Sequence, residues 1–430
     1  MTLITQHVEN SNQKVSEDVA VLLLFVIIFL GQNIGIFYLV KRWISLSEVA
    51  MLLFVFFVLV KSTLFNEEHI IIYLMFNVLN MISFVFALDK SEAMISAVSL
   101  LFYSTFALFL VAYLMQKNLY EEFLMSFLIA CSILAVYGIL QFVLIRVLGF
   151  YSDYIVYPFG NVTVQRQPIT LSSILVSSLW RSNSLYYEPS IYAMTLVLGF
   201  SINETLKFGK LFFKLLMVFG VIVSFSLTAY IMLVLVYALS KLYGTSFLID
   251  LKRTMITIVI LIAVIIIIPY LIETMEALPY PFNRLSEVFI RGTSGYYRLV
   301  TPIFVTGYVL STKAFGIGIG GIDSFLKSPP SGIARYLIMG SGYGRTIDSV
   351  PFVILLNYGY LGFILLAFLL IILFRSAKKW LPFSAALFLY LLGTGNYSSA
   401  NFWIILSVLL VAYLTTTLEN ECLEMSDANN

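Results

Sequence analysis

The sequence predicts an all-α polytopic integral membrane protein, a single membrane domain over residues 1–430 with about twelve transmembrane helices and two long outward-facing loops. Three observations predict it. Hydrophobic residues make up 60% of the chain and charged residues only 11%, against about 25% charged in a soluble domain. Apolar runs long enough to cross about 30 Å of hydrocarbon recur from end to end. Lipid offers no partner to backbone N–H and C=O groups, so such runs must be helices.

Taken in order, the apolar runs place spans near 19–40, 46–61, 70–88, 93–115 and 123–147. A polar loop follows over 151–188, then spans near 189–206, 210–226, 228–243 and 254–271. A second long loop covers 272–349, ahead of spans near 350–374, 381–393 and 402–417. Residues 1–18 are polar and mixed in charge, without the basic region and cleavage site of a signal peptide, so the first span is expected to stay as an anchor. Ser224, Ser226, Thr228 and Ala229 interrupt one long apolar run and read as a tight turn between two helices. No internal repeat is visible, which disfavours repeat-built transporter folds.

Lysine and arginine near span ends stay in the cytoplasm. Lys207, Lys210, Lys241, Lys252, Arg253, Arg375, Lys378 and Lys379 fall on one side if the spans alternate. That side is the cytoplasm, so both termini face in and both long loops face out. Lys41 and Arg42 run against this scheme.

Net charge of +2 gives no basic footprint for nucleic acid. Cys131 and Cys422 are too far apart in the topology to pair, and His7 and His69 complete no zinc-type cluster. No metal site and no cofactor are expected.

The loops carry the chemistry. Seven arginines, Arg166, Arg181, Arg284, Arg291, Arg298, Arg335 and Arg345, stand outside, against the usual trend. An anionic ligand at the outer surface explains the excess, because a guanidinium fork matches phosphate in two-point contacts. Arg284, Arg291 and Arg298 recur every seven residues and would share one helix face, drifting about 20° per step; an amphipathic segment lying on the membrane explains the same spacing. In Trp180–Ala193, WRSNSLYYEPSIYA, Glu188 directly precedes Pro189. It reads either as a cap at the start of the next helix or as a base. Arg181 reads as a ligand contact, with no structural role assigned to it. Asp348 repeats the alternative of cap or base before a later span. Tyr186, Tyr187, Tyr296, Tyr297 and Tyr343 read as an interfacial belt or as platforms for sugar rings. The glycines of Phe315–Gly321, FGIGIGG, lack the flanking features of a dinucleotide fingerprint and are expected to let backbone pass close to a span or a ligand.

Three local matches give the chain a resemblance to the bacterial Wzy-type O-antigen and capsule polymerases and the related O-antigen ligases. Arg181–Ala193 is similar to that family's arginine, Glu-Pro-Ser and following span. Arg298 with the apolar helix and FGIGIGG after it resembles the arginine and glycine-rich block of the second outward loop. Asp348–Gly362, DSVPFVILLNYGYLG, resembles the polar residue and Gly-x-x-Gly that open a later span. Two departures matter. Ligases carry a histidine in the second loop, where this chain has none and Asp348 stands at the comparable place. Of the paired Arg-x10-Gly motifs that describe some polymerases, Arg284–Gly295 fits, whereas Tyr192 replaces the glycine that should follow Arg181.

The resemblance implies a glycosyltransferase C-like fold in the bacterial cytoplasmic membrane and a metal-independent polysaccharide polymerase. Its substrates would be undecaprenyl-pyrophosphate-linked oligosaccharides, with membrane lipid and a chain-length regulator protein as further partners. Arg181 and Arg298 are expected to bind pyrophosphate, supported by Arg291 and Arg345, with Glu188 or Asp348 as base and Tyr187 and Tyr297 against sugar. An O-antigen ligase or other lipid-sugar transferase, and then a flippase using a buried ionisable residue such as Lys214, are the competing readings.

Overall fold

The computed structural model describes residues 19–39, 42–61, 65, 67–150, 181–186, 188–206, 211–242, 294–330, 347, 349–375, 380–393, 400 and 402–411. The expected span at 254–271 lies outside them, as do both termini. The described chain is mostly helical. In order run α1 (Val19–Leu30), α2 (Leu46–Val60), α3 (Glu67–Val85), α4 (Lys90–Lys117) and α5 (Tyr120–Phe142). After 151–180 come α6 (Pro189–Leu206), α7 (Leu211–Val223) and α8 (Leu227–Leu242). The last part holds α9 (Ser294–Thr312), α10 (Ile322–Lys327), α11 (Val350–Tyr358), α12 (Leu361–Arg375), α13 (Leu381–Gly393) and α14 (Phe402–Val411). Among the described residues, Lys90–Lys117 and Tyr120–Val147, which adds a π turn to α5, are each long and apolar enough to cross a membrane alone.

Two expected spans are broken. The run at 19–40 is helical only to Leu30; a 3-10 turn at Gly31–Asn33 leads into an antiparallel hairpin of β1 (Gly35–Leu39) and β2 (Arg42–Ser45). This hairpin departs from the all-α expectation. Its cause is local: Gly31, Asn33 and Gly35 are weak helix formers, and Leu46 N–H donating to Ile34 O at 2.6 Å closes the open end of the hairpin. The run at 350–374 is two helices, parted at Gly359, whose φ is 59°. Within 272–349, expected as loop, the structure places α9 and α10.

Aromatic edges hold the N-terminal helices together. Phe25 meets Phe123 edge-on at 5.0 Å and Phe29 meets Phe127 at 4.9 Å, joining α1 to α5, and Phe54 meets Phe106 at 5.8 Å, joining α2 to α4. Each such pair adds about 0.5–1.5 kcal/mol beyond area burial. The centre of the fold is α6, which packs on α5, α7, α8 and α13. Every residue from Ser190 to Asn203 is buried, so α6 has no lipid-facing side over that length. By contrast α3 leaves Ile71, Leu74, Met75, Val78, Met81 and Val85 exposed, the face a bilayer covers.

Candidate functional site

The segment ahead of α6 is folded by its neighbours rather than by itself. Ser182 N–H donates to Val223 O at 3.2 Å, tying the chain to the C-terminal end of α7. Its hydroxyl lies 2.7 Å from Gly138 O and 3.2 Å from Gln141 Oε1 on α5. Tyr186 N–H donates to Asn183 O at 2.9 Å and closes a turn, with Ser184 at φ 51° inside it. The Ser184 hydroxyl donates to Leu134 O at 2.8 Å, and Asn183 Nδ2 donates to Tyr186 O at 2.5 Å. Ser182, Asn183 and Ser184 are buried.

Arg181 is half-buried at the edge of this knot. Its Nε donates to Ser224 O at 3.0 Å, and Nη2 lies 3.4 Å from Ser190 Oγ in the first turn of α6. The guanidinium therefore sits between the C-terminal carbonyls of α7 and the N-terminus of α6. A cation is favoured at the first of these, where helix carbonyls lack partners. This corrects the expectation that Arg181 has no structural role, because it ends α7. The turn it holds, Ser224 to Ser226, is the tight turn expected from the sequence; Phe225 adopts φ 48° there, and Ser226 Oγ accepts from Ala229 N at 3.4 Å to start α8.

Glu188 is half-buried, and its carbonyl accepts from Tyr192 N–H at 3.2 Å. That places it at the N-cap with Pro189 as the first helical residue, as expected of a cap. Tyr186 does not join an interfacial belt: it is 3% exposed, with its hydroxyl 3.4 Å from Gln32 Oε1. Burial pushes its phenol up, against the opposite pull of a hydrogen bond with Thr195. Tyr296 is buried as well. Tyr187 lies outside the described residues.

Of the second arginine-and-carboxylate group, Arg298 and Tyr297 stand early on α9, while Arg284, Arg291, Arg345 and Asp348 lie outside the described residues. The glycine block between them is clear. Gly316, Gly318 and Gly320 have φ of 74°, 78° and 70°, and a Cβ on them would meet backbone at Leu356, Ala87 and Glu92 respectively. The expected close backbone passage is thus what these glycines permit. Ile317 N–H donates to Leu356 O at 2.8 Å, Leu88 N–H to Ile317 O at 3.2 Å, and Ser83 Oγ accepts from Ile319 N–H at 3.0 Å. The loop is clamped between the end of α3 and the end of α11. Helix α13 packs on α6, α8 and α11, and so stands between the helix that follows Glu188 and the one that begins after Asp348.

Lys214 forms an ion pair with Glu204 across the α6–α7 connection. Two polar residues that sequence reading missed are Glu48 and Gln141. Glu48 is 7% exposed and accepts from Tyr103 Oη at 2.5 Å and from Ser45 N–H at 2.8 Å. The pattern Ser45-x-x-Glu48 announces this capping box in the sequence. Gln141 is fully buried in α5, and its signal was an amide inside an apolar run. Among the described residues no group of three or more His, Cys, Asp or Glu is placed to hold a metal ion.

The comparisons with known proteins follow the same direction. A family model described as WcaD colanic acid polymerase matches residues 19–419. A protein of Escherichia coli (strain K12), provisionally named a colanic acid polymerase, is 26% identical over 182 residues. That match spans 42% of this chain and 42% of the relative's length. No solved structure matches the chain.

Proposed function

From a chain that belongs to the WcaD colanic acid polymerase family, we propose a polymerase that joins oligosaccharide repeat units carried on undecaprenyl pyrophosphate. The single observation that carries this reading is the family match over residues 19–419, which takes in both arginine-bearing segments. The reaction takes place at the outer face of the bacterial cytoplasmic membrane, with both termini in the cytoplasm and a chain-length regulator as a further protein partner.

In this reading, a hydroxyl at the non-reducing end of a lipid-linked repeat unit attacks the anomeric carbon of the growing chain. The bond from that carbon to pyrophosphate breaks, the hydroxyl proton passes to a carboxylate, and undecaprenyl pyrophosphate leaves. Pyrophosphate is a good leaving group, so the main demand is to stabilise its developing charge, which arginines meet without a metal. Arg181 supports this role by its position, its guanidinium being beside the N-terminus of α6, where an anion is also favoured. Arg298, Arg291 and Arg345 are its proposed partners. Glu188 or Asp348 takes the proton. Tyr187 and Tyr297 are proposed to flank the sugar.

The family match favours polymerisation over ligation. Lys214, the ionisable candidate of the flippase reading, is paired with Glu204. Purified protein in liposomes, given lipid-linked repeat units, is expected to lengthen them into a ladder. Movement across the bilayer without lengthening would overturn the proposal.

A further inference from the structure

Gln141 is a buried side chain that bonds the backbone of Ser184, in the turn between Arg181 and Glu188. It lies on α5, 43 residues from Ser184 in sequence, and is fully buried. Its Nε2 donates to Ser184 O at 3.0 Å, and its Oε1 accepts from Ser184 N–H at 2.8 Å. One side-chain amide thus satisfies both backbone groups of one residue, as a neighbouring strand would. That residue is the one whose backbone is least at ease: Ser184 has φ 51°, the left-handed region that favours glycine. Only two other non-glycine residues among those described share that region, and one of them, Phe225, lies in the turn that Arg181 holds. Strained residues of this kind persist where their surroundings over-determine them, and they gather at functional sites.

The path of the chain follows from this. Outside the turn closed by Tyr186 N–H on Asn183 O, the chain is anchored by Ser182 N–H on Val223 O, one residue after Arg181, and by Glu188 O on Tyr192 N–H at the start of α6. The turn at Ser184 lies between those two points, and Gln141 holds it together with the Tyr186 N–H to Asn183 O bond and the Ser184 hydroxyl on Leu134 O. We infer that Gln141 is a positioning residue, acting through Ser184 to set where Arg181 and Glu188 stand relative to each other. The inference rests on the reading of those two residues as parts of a glycosyl-transfer site.

Gln141→Ala and Gln141→Met, the second keeping the volume, are the test, in full-length protein reconstituted with the lipid-linked repeat units of the host strain. Both variants are expected to fold, with turnover lowered on the order of tenfold to a hundredfold, the usual effect of misplacing a reacting group. The loss should fall more on kcat than on KM, because the charge that Arg181 is placed to stabilise grows on pyrophosphate in the transition state. Hydrogen–deuterium exchange should quicken in the Arg181–Glu188 peptide and not in peptides from α6. Adding Ser184→Gly, which removes the backbone strain, should restore part of the turnover; a purely structural defect in α5 would not respond to it. Wild-type turnover in both single variants, with Arg181→Ala inactive, would overturn this inference and leave the polymerase site standing. Full activity of Arg181→Ala would bring down both. Loss of folded protein in both Gln141 variants would also overturn it, since the residue would then govern folding and not site geometry.

Discussion

Arg181 Nε donates to Ser224 O at 3.0 Å, so the residue proposed to meet pyrophosphate also closes the C-terminal end of α7. The two roles predict separable losses. Arg181→Ala should abolish the polysaccharide ladder and also strand the buried Ser224 carbonyl, at about 1–3 kcal/mol. Arg181→Lys keeps the charge near the helix end but not the two-point fork. It should melt within about 1 kcal/mol of wild type while losing at least about tenfold in turnover. Gel ladders read one effect and thermal melting in detergent the other. Turnover that falls only in step with folded protein would reduce Arg181 to a cap.

Glu188 occupies the N-cap of α6 through its main chain, and that contact survives a change of side chain. Glu188→Gln keeps this main-chain contact and should still fold. If its carboxylate takes the acceptor proton, turnover should drop by about two orders of magnitude or more. Unchanged turnover would transfer the role to Asp348. Unchanged turnover in Asp348→Asn as well would remove a carboxylate base from the mechanism.

Gly318 has φ 78°, with the backbone of Ala87 where its Cβ would go, whereas a Cβ on Gly307 in α9 meets nothing within 4 Å. Gly318→Ala should cost more than the about 1–2 kcal/mol of a left-handed residue alone and should prise the glycine loop from α3. Gly307→Ala should be neutral or slightly stabilising, as alanine for glycine is in a helix. Detergent melting of the pair gives the comparison, and equal melting temperatures would deny the close passage any energetic weight.

Tyr192 is fully buried in α6, and its hydroxyl has no hydrogen-bond partner among the described residues. Removing a stranded buried hydroxyl returns about 1 kcal/mol or more of desolvation cost. Tyr192→Phe should therefore be at least as stable as wild type and fully active. A lower melting temperature would show that the hydroxyl has a partner after all.

Much of the site was legible because its signals are local. Glu188 before Pro189 is a helix start on sequence alone, and the polar break at Ser224–Ser226 is a turn whatever surrounds it. The glycines of FGIGIGG announced close backbone contact without saying with what. Other features were hidden for physical reasons. Hydropathy summed along a run does not register a hairpin whose first strand, Gly35–Leu39, is apolar like the helix before it, nor a break at one glycine such as Gly359. Gln141 carried no signal of its role, because that role depends on Ser184, 43 residues away in sequence.

By itself the sequence determined the class of the molecule, a chain of apolar helices, because lipid leaves the backbone no other way to satisfy its hydrogen bonds. It also determined which polar segments stand beside those helices. Only the tertiary structure decided which helix is central. By composition α6 and α12 are both apolar segments, yet α6 is buried on every side from Ser190 to Asn203 while α12 exposes Phe363, Ile364, Phe368 and Ile371. Burial is a property of neighbours, and hydropathy records only what each residue prefers. The same holds for Arg181: its charge was plain in the sequence, but its partner at Ser224 was chosen by how α5, α6 and α7 pack.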